Sequence, residues 1–336
     1  MKNLAVSIFT LSIAVQAMAA EPGGFWDTGI VTEKFNIGAW ADAMYLDQSR
    51  DEYESFFNLS QIYFQANWNF ARQWRLFGET AYERLPGGNG QTQEEWELER
   101  LFLEYKRSPA LMFRLGKFDT QAGIVKPIHW TVILDSLRSP IMEKNGYIPA
   151  KSIGLEILGK WALSKGFLSY SFSLSHSKSE VADDEPINRA KGAGLDVYYS
   201  EIGRFRVGSS LYFYRDPKDK DRGVTGFLPY LEWHILPQKL MFRTEYLELT
   251  REQTSNLDTW YAKVKYQFHP QAYLNLRYDR GLDEALASRS EREAKSITLA
   301  YWPVTKWRIK LEHTWNDFED GTAFREWAIW TGIILL

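Results

Sequence analysis

Histidine is scarce and cysteine absent in this sequence, and the one His among serines is badly placed for catalysis. Five His and no Cys occur in 336 residues, so thiol nucleophiles, thiolate metal sites and a disulfide framework are all excluded. His176 stands in SLSHSKS. In an extended chain Ser175 and Ser177 share the face opposite His176, so they do not form a Ser–His pair with it. GGNG at 87–90 follows Pro86 with no helical pattern behind it, which makes it a turn and not a phosphate cradle. ADDE at 182–185 reads as a solvated loop, with weak Ca²⁺ bridging as the alternative. No metal-ligand spacing is present. We expect no catalytic residue, metal or cofactor.

The charged residues that form a pattern lie on alternating segments. WRLFGETAY (74–82) separates Trp74, Leu76, Gly78, Thr80 and Tyr82 from Arg75, Phe77, Glu79 and Ala81. FLSYSFSLS (167–175) sets Leu168, Tyr170, Phe172 and Leu174 against four serines. In residues 258–280 one face carries Trp260, Ala262, Val264, Tyr266 and Phe268, then Leu274, Leu276 and Tyr278 beyond a turn. The opposite face carries Tyr261, Lys263, Lys265, Tyr273, Asn275, Arg277 and Asp279. Such period-two alternation gives strands with one dry and one wet face. On the wet faces of the clearest strands stand Arg75, Arg204, Arg206, Arg243, Lys263, Lys265, Arg277, Arg308 and Lys310. Their acidic counterparts are Glu79, Glu83, Glu245, Asp279 and Glu312. The chain as a whole has formal net charge −3, too small an imbalance to imply a nucleic-acid partner. The wet faces nevertheless carry a basic surplus.

The elements that must hold these residues follow from the ends and the connections. MKNLAVSIFTLSIAVQAMAA begins with Lys2, continues apolar to Val15 and closes on Ala17-Met18-Ala19, the pattern of a secretory leader. Residues 1–20 are therefore expected to be removed, leaving 21–336 as one domain. No later stretch reaches the eighteen or so apolar residues of a membrane-spanning helix. Short turns, near Asn69–Gln73, Ser108–Ala110, Ser164–Gly166, Glu201–Gly203, Leu236–Lys239, His269–Gln271 and Pro303–Lys306, take turns with longer polar segments. That rhythm belongs to a membrane barrel whose short connections all lie on one side. About sixteen antiparallel strands are expected. Trp260 and Phe268 are about 26 Å apart along their strand, or roughly 20 Å in depth when tilted, close to the spacing of two aromatic girdles. In WELERLFLEYK the dry face switches midway, which calls for a bulge.

On these features the chain resembles the sixteen-stranded outer-membrane porins of Gram-negative bacteria. FRLGKFDTQAGI (113–124) is similar to the Gly-x-Phe-x-x-Pro-x-Gly stretch of the phosphate-selective branch, with Gly116, Phe118 and Gly123 in comparable places and the proline missing. The resemblance implies a transmembrane β-barrel in the outer membrane, among lipid and lipopolysaccharide, assembled as a homotrimer. It also implies that the third outer loop, Asp119–Ser152, folds into the barrel and narrows it. Its composition agrees: HWTVIL (129–134) and Pro127, Pro140 and Pro149 make a loop too greasy for open water, the alternative being a loop packed over the mouth or against a neighbouring subunit. Lys126, His129, Asp135 and Arg138 are its candidate constriction residues. The family tends to end in an aromatic residue, whereas this chain ends WAIWTGIILL, with both faces of that segment apolar.

The functional expectation is passive diffusion of small hydrophilic solutes, with a mild anion preference from the basic surplus. The competing view of the charges is mutual neutralisation across strands. The competing functions are a barrel enzyme or adhesin with a plugged lumen, and a soluble exported β-sandwich that binds carbohydrate.

Overall fold

A computed structural model describes residues 30–31, 34–49, 56–86, 92–127, 134–144, 150–178, 189–215, 223–251, 256–283 and 290–335. The expected leader, His129, Pro149, ADDE and Leu336 lie outside the described residues. The strands are β1 (Ile30–Val31), β2 (Phe35–Gln48), β3 (Phe56–Ala71), β4 (Trp74–Pro86), β5 (Thr92–Ser108), β6 (Leu111–Asp119), β7 (Lys151–Ala162), β8 (Phe167–Lys178) and β9 (Arg189–Glu201). They continue as β10 (Phe205–Arg215), β11 (Gly223–Leu236), β12 (Leu240–Arg251), β13 (Leu257–His269), β14 (Ala272–Asp283), β15 (Ser290–Val304), β16 (Trp307–Phe318) and β17 (Ala323–Ile334). One turn of helix, α1 (Ile141–Lys144), lies in the long connection after β6.

From β2 to β17 every strand pairs antiparallel with its sequence neighbour, and β17 pairs back onto β2 from Glu326↔Gln48 to Ile334↔Trp40. The result is a closed barrel of sixteen strands. The two-residue β1 lies beside β2 at Ile30↔Ile37 and Val31↔Asn36, carrying on where β17 stops. Closure leaves no strand edge, so the backbone donors and acceptors of the spanning segments are offered partners on both neighbouring strands, as hydrocarbon requires. Among the described residues no helix is long and apolar enough to cross a membrane.

Side-chain burial follows the expected alternation. On β13, Val264, Tyr266 and Phe268 are exposed, while Tyr261 and Lys263 are buried. On β14, Leu276 is exposed while Tyr273, Asn275, Arg277 and Asp279 are buried. The outward face is thus the greasy one, Ser169, Ser171 and Ser173 of β8 being buried and Phe172 and Leu174 exposed. A soluble protein would show the reverse. Trp68, Phe70, Trp74, Trp161, Trp233, Phe268 and Trp307 cluster at the ends nearest the short turns, all outward and exposed, which is an interfacial aromatic girdle.

The two irregular segments have one cause each. Glu79 pairs with Arg100 and Thr80 with Leu98, so Glu99 is an extra residue on β5. Glu99 and Arg100 are both buried, and Leu98 and Leu101 on either side are both exposed. This bulge is what inverts the dry face of WELERLFLEYK. On β17 the inner face is apolar because Ala328, Trp330 and Ile334 pack against Trp40, Tyr63, Ala81 and Leu137.

Placing a cation on the lipid face tests the assignment of sides. Leu276→Arg is expected to lower the unfolding free energy of the vesicle-embedded barrel by about 2–4 kcal/mol if it sits near the bilayer centre. An unchanged denaturant midpoint would put Leu276 out of contact with lipid.

Candidate functional site

The connection from Asp119 to Lys151 is held to the buried face of the barrel wall at two places. The first begins where β6 ends. Thr120 N donates to Ala150 O at 3.0 Å, and the Thr120 and Ser152 hydroxyls are 2.8 Å apart. Gly123 then adopts φ +65°, and a Cβ there would lie 2.0 Å from Glu245 Oε2, so only glycine fits. Gly123 N donates to Ser210 Oγ at 2.9 Å. Ile124 N and Val125 N donate to the two oxygens of Glu245 at 3.0 and 3.2 Å, and Tyr261 donates to the same carboxylate. Ala122, Ile124, Val125 and Met142 pack among Tyr212, Leu228, Leu247 and Leu249.

The second anchor repeats the device on the other side of the segment. Leu137 N and Arg138 N donate to Glu312 at 2.8 and 2.9 Å. Lys310 Nζ donates to Leu134 O at 2.6 Å, and Arg277 Nη1 to Ser136 Oγ at 2.7 Å. Arg138 pairs with Glu326 of β17. Asp135 lies 2.7 Å from both Lys263 Nζ and Lys265 Nζ and 3.7 Å from Arg243. Burial alone would raise its carboxyl pKa. Lys263, then Lys265, then Arg243 outweigh that and hold it well below the usual carboxylate range.

Six of the sequence-singled wall residues, Arg243, Lys263, Lys265, Arg277, Lys310 and Glu312, therefore touch the segment 134–138. Asp279 bonds Arg277 at 2.7 Å. Arg206 lies 3.9 Å over the Tyr198 ring and donates to Gly123 O at 3.3 Å. Arg308 lies over Trp302 at 5.7 Å, Glu83 accepts from Gln61 at 2.8 Å, and Lys126 is buried in the loop. Arg204 is different: it sits in the β9–β10 turn, bonded to Glu201, with a side chain 69% exposed. Its parity matches Arg206, but the strand starts one residue later. Tyr273, on the wet face of the alternation, is buried on the inner side and donates to Asp135 O at 3.1 Å.

Beside the first anchor, residues of β2–β9 together with Gln121 and Pro127 of the loop line a cavity of about 400 Å³. Its chemistry centres on a row of register partners of alternating charge, Arg75↔Glu104↔Arg114↔Glu156. The ion pairs measure 2.9, 2.7 and 3.0 Å. A second cluster joins Arg100 to Glu79 at 2.6 Å and to Asp119 at 2.9 Å, with Lys151 at 2.7 Å from Asp119. Phe77 and Phe102 stack at 5.1 Å between the guanidinium groups of Arg75, Arg100 and Arg114. Arg100 and Glu104 escaped the sequence reading because the Glu99 bulge scrambles the faces of β5; Arg114 on β6 and Glu156 on β7 stand on strands whose alternation was not used. Opposite signs at cross-strand positions are the signal that could have found them. Among the described residues no group of three or more His, Asp or Glu could hold a metal ion.

No family model and no curated protein matches the sequence. Solved structures do match in fold. The anion-selective porin from Comamonas acidovorans superimposes with TM-score 0.64 at 8% identity, over 90% of this chain and 99% of that one. In-vitro folded OmpT, an outer membrane protein of Vibrio cholerae, gives 0.62 at 12% over 92% and 100%. The outer membrane channel DcaP of Acinetobacter baumannii gives 0.60 at 11% over 91% and 99%. A trimer form of Vibrio cholerae OmpT is also similar, with TM-score 0.59 at 11% over 90% and 100%. The chain thus has the closed sixteen-stranded fold of Gram-negative outer-membrane porins and channels.

Proposed function

We propose that this protein is an outer-membrane diffusion channel for small hydrophilic solutes, and that the loop between β6 and β7 lies within the bore and narrows it. The observation that carries this reading is the sidedness of the wall. The exposed large side chains of the wall are apolar and aromatic, while charged and amide side chains are among those that line a chamber that water can fill. The anchors at Glu245, Glu312 and Asp135 support a fixed constriction, because a loop bonded to the inner face of several strands is not free to swing away. The barrel sits in lipid and lipopolysaccharide and assembles as a homotrimer. In this reading passage of solutes is the activity.

Selectivity in this reading is weak. Most inner cations have a carboxylate partner close by, as Arg75, Arg100, Arg114, Lys151, Arg243, Lys263 and Arg277 do. Paired charges keep a bore wet without giving it a strong sign. A mild preference for anions is the second reading. The observation in its favour is that Lys265 shares one carboxylate, Asp135, with Lys263 and Arg243, leaving a local surplus of positive charge.

Single-channel recordings across a salt gradient check the channel and its sign together. Discrete conductance steps with a small reversal potential toward chloride are expected; a clear cation preference removes the anion reading, and absence of conductance removes the channel. Asp135→Asn is expected to free the loop, since breaking a buried pair costs about 3–5 kcal/mol, and should raise both conductance and open-channel noise. The acid dependence of the unsubstituted protein follows from the lowered carboxyl. Its contribution to docking is complete above the ordinary Asp range and is lost only as pH falls through the depressed value. Conductance recorded from pH 7 down to about 4, the ordinary range for Asp, should therefore show no loop release, and a release near neutrality would contradict the Asp135 anchor.

A further inference from the structure

The short turns at one end of the barrel carry charge of almost a single sign. Arg72, Lys165, Lys239 and Lys306 stand inside four of them, and Arg107 and Arg204 stand beside two more. The turn at His269–Gln271 alone has no Lys or Arg. Within two residues of any of these turns the one carboxylate is Glu201, which Arg204 bonds at 3.1 Å. The chain as a whole has formal net charge −3, so its acidic surplus lies elsewhere and the turn rim is set apart. Arg72, Arg107, Lys165 and Lys239 are exposed. Neither they nor Lys306 have an ion-pair partner among the described residues. Their counter-charge has to come from outside the chain.

The place of these cations says what supplies it. Phe70 and Trp74 flank Arg72, Trp161 and Leu163 precede Lys165, Leu236 precedes Lys239, and Trp307 follows Lys306, all of them exposed. Such outward rings mark the level where hydrocarbon gives way to headgroups. A Lys or Arg within a few residues of that level can lay its aliphatic stem along the apolar wall and hold its charge in the phosphate layer. The cations are also spread from the β3–β4 turn to the β15–β16 turn, around the circumference and not on one flank. A globular partner is met on one patch, whereas a lipid leaflet surrounds the wall.

We infer that the short-turn rim is a docking ring for the headgroups of anionic phospholipid in the leaflet on that side, the turn cations taking lipid phosphates as their counter-charge. The inference rests on the barrel and its sidedness and stands apart from conduction.

The test uses the whole barrel refolded into phosphatidylcholine vesicles with a trace of spin-labelled phosphatidylglycerol or spin-labelled phosphatidylcholine. The motionally restricted fraction of each spectrum reports the lipid held against the wall. The anionic label is expected to associate about fivefold more strongly than the zwitterionic one, the factor that corresponds to one cation at an anionic surface. That preference should vanish in about 1 M KCl, where screening acts over roughly 3 Å. A barrel carrying Arg72→Gln, Arg107→Gln, Lys165→Gln, Lys239→Gln and Lys306→Gln together should lose it at low salt, with heat-modifiable gel mobility confirming the fold. Equal association of the two labels overturns the docking ring, and so does a preference that the five substitutions leave unchanged. Should the variant not fold, the salt arm on the unsubstituted barrel decides, since a preference that persists in about 1 M KCl overturns the ring. Isolated peptidoglycan that sediments the unsubstituted barrel but not the variant, with no lipid preference, also overturns it and makes the rim a cell-wall surface. A reversal potential that shifts on substitution while lipid association does not overturns it as well and makes the rim an ion filter.

Discussion

The hydrogen-bonding demand of the peptide backbone in hydrocarbon governs this molecule. Each unpaired N–H or C=O in a lipid interior costs several kcal/mol, and an open sheet would present a whole row of them at each edge. Pairing β17 with β2 disposes of both edges at once. Once the sheet is a ring, its two faces meet different solvents, and period-two alternation becomes compulsory. The aromatic girdle and the polarity of the inner face are consequences of that closure.

The same demand recurs inside. The described parts of the β6–β7 connection, residues 120–127 and 134–144, carry backbone donors of their own, and these too need acceptors. Glu245 and Glu312 meet the need in the same way. Each carboxylate accepts from two consecutive N–H groups, Ile124 and Val125 in one case, Leu137 and Arg138 in the other. Charge on the wall therefore acts mainly as a fastening. Asp135 faces three cations, and the Arg75–Glu156 row alternates in sign. This internal pairing offsets part of the basic charge of the wall.

What was legible in the sequence was whatever depends on local period. The faces of β13 and β14, the short turns and the serine row of β8 are all set by nearest neighbours along the chain, and all were readable. A single extra residue, Glu99, was enough to hide Arg100 and Glu104, because one insertion flips every later side chain to the other face. Arg204 was misplaced for a related reason: parity says which way a residue points but not where the strand begins. The loop anchors had no signature of either kind. Leu137 and Glu312 lie on elements far apart in the chain, and nothing in the spacing of either residue announces the other. Their meeting is decided only by the ring.

The seam between β17 and β2 has a kinetic consequence. Every other junction in the barrel joins strands adjacent in sequence and can form as a hairpin, whereas this one must bring together the two far ends of the described chain. Contacts of such separation are paid for in loop-closure entropy before they return any energy. The last hairpins to be made therefore wait on the first strand, and until they find it both β2 and β17 are naked templates for another chain. Ile30 and Val31 lie alongside β2 just past the end of β17 and continue the pairing of β2 beyond that late-forming joint.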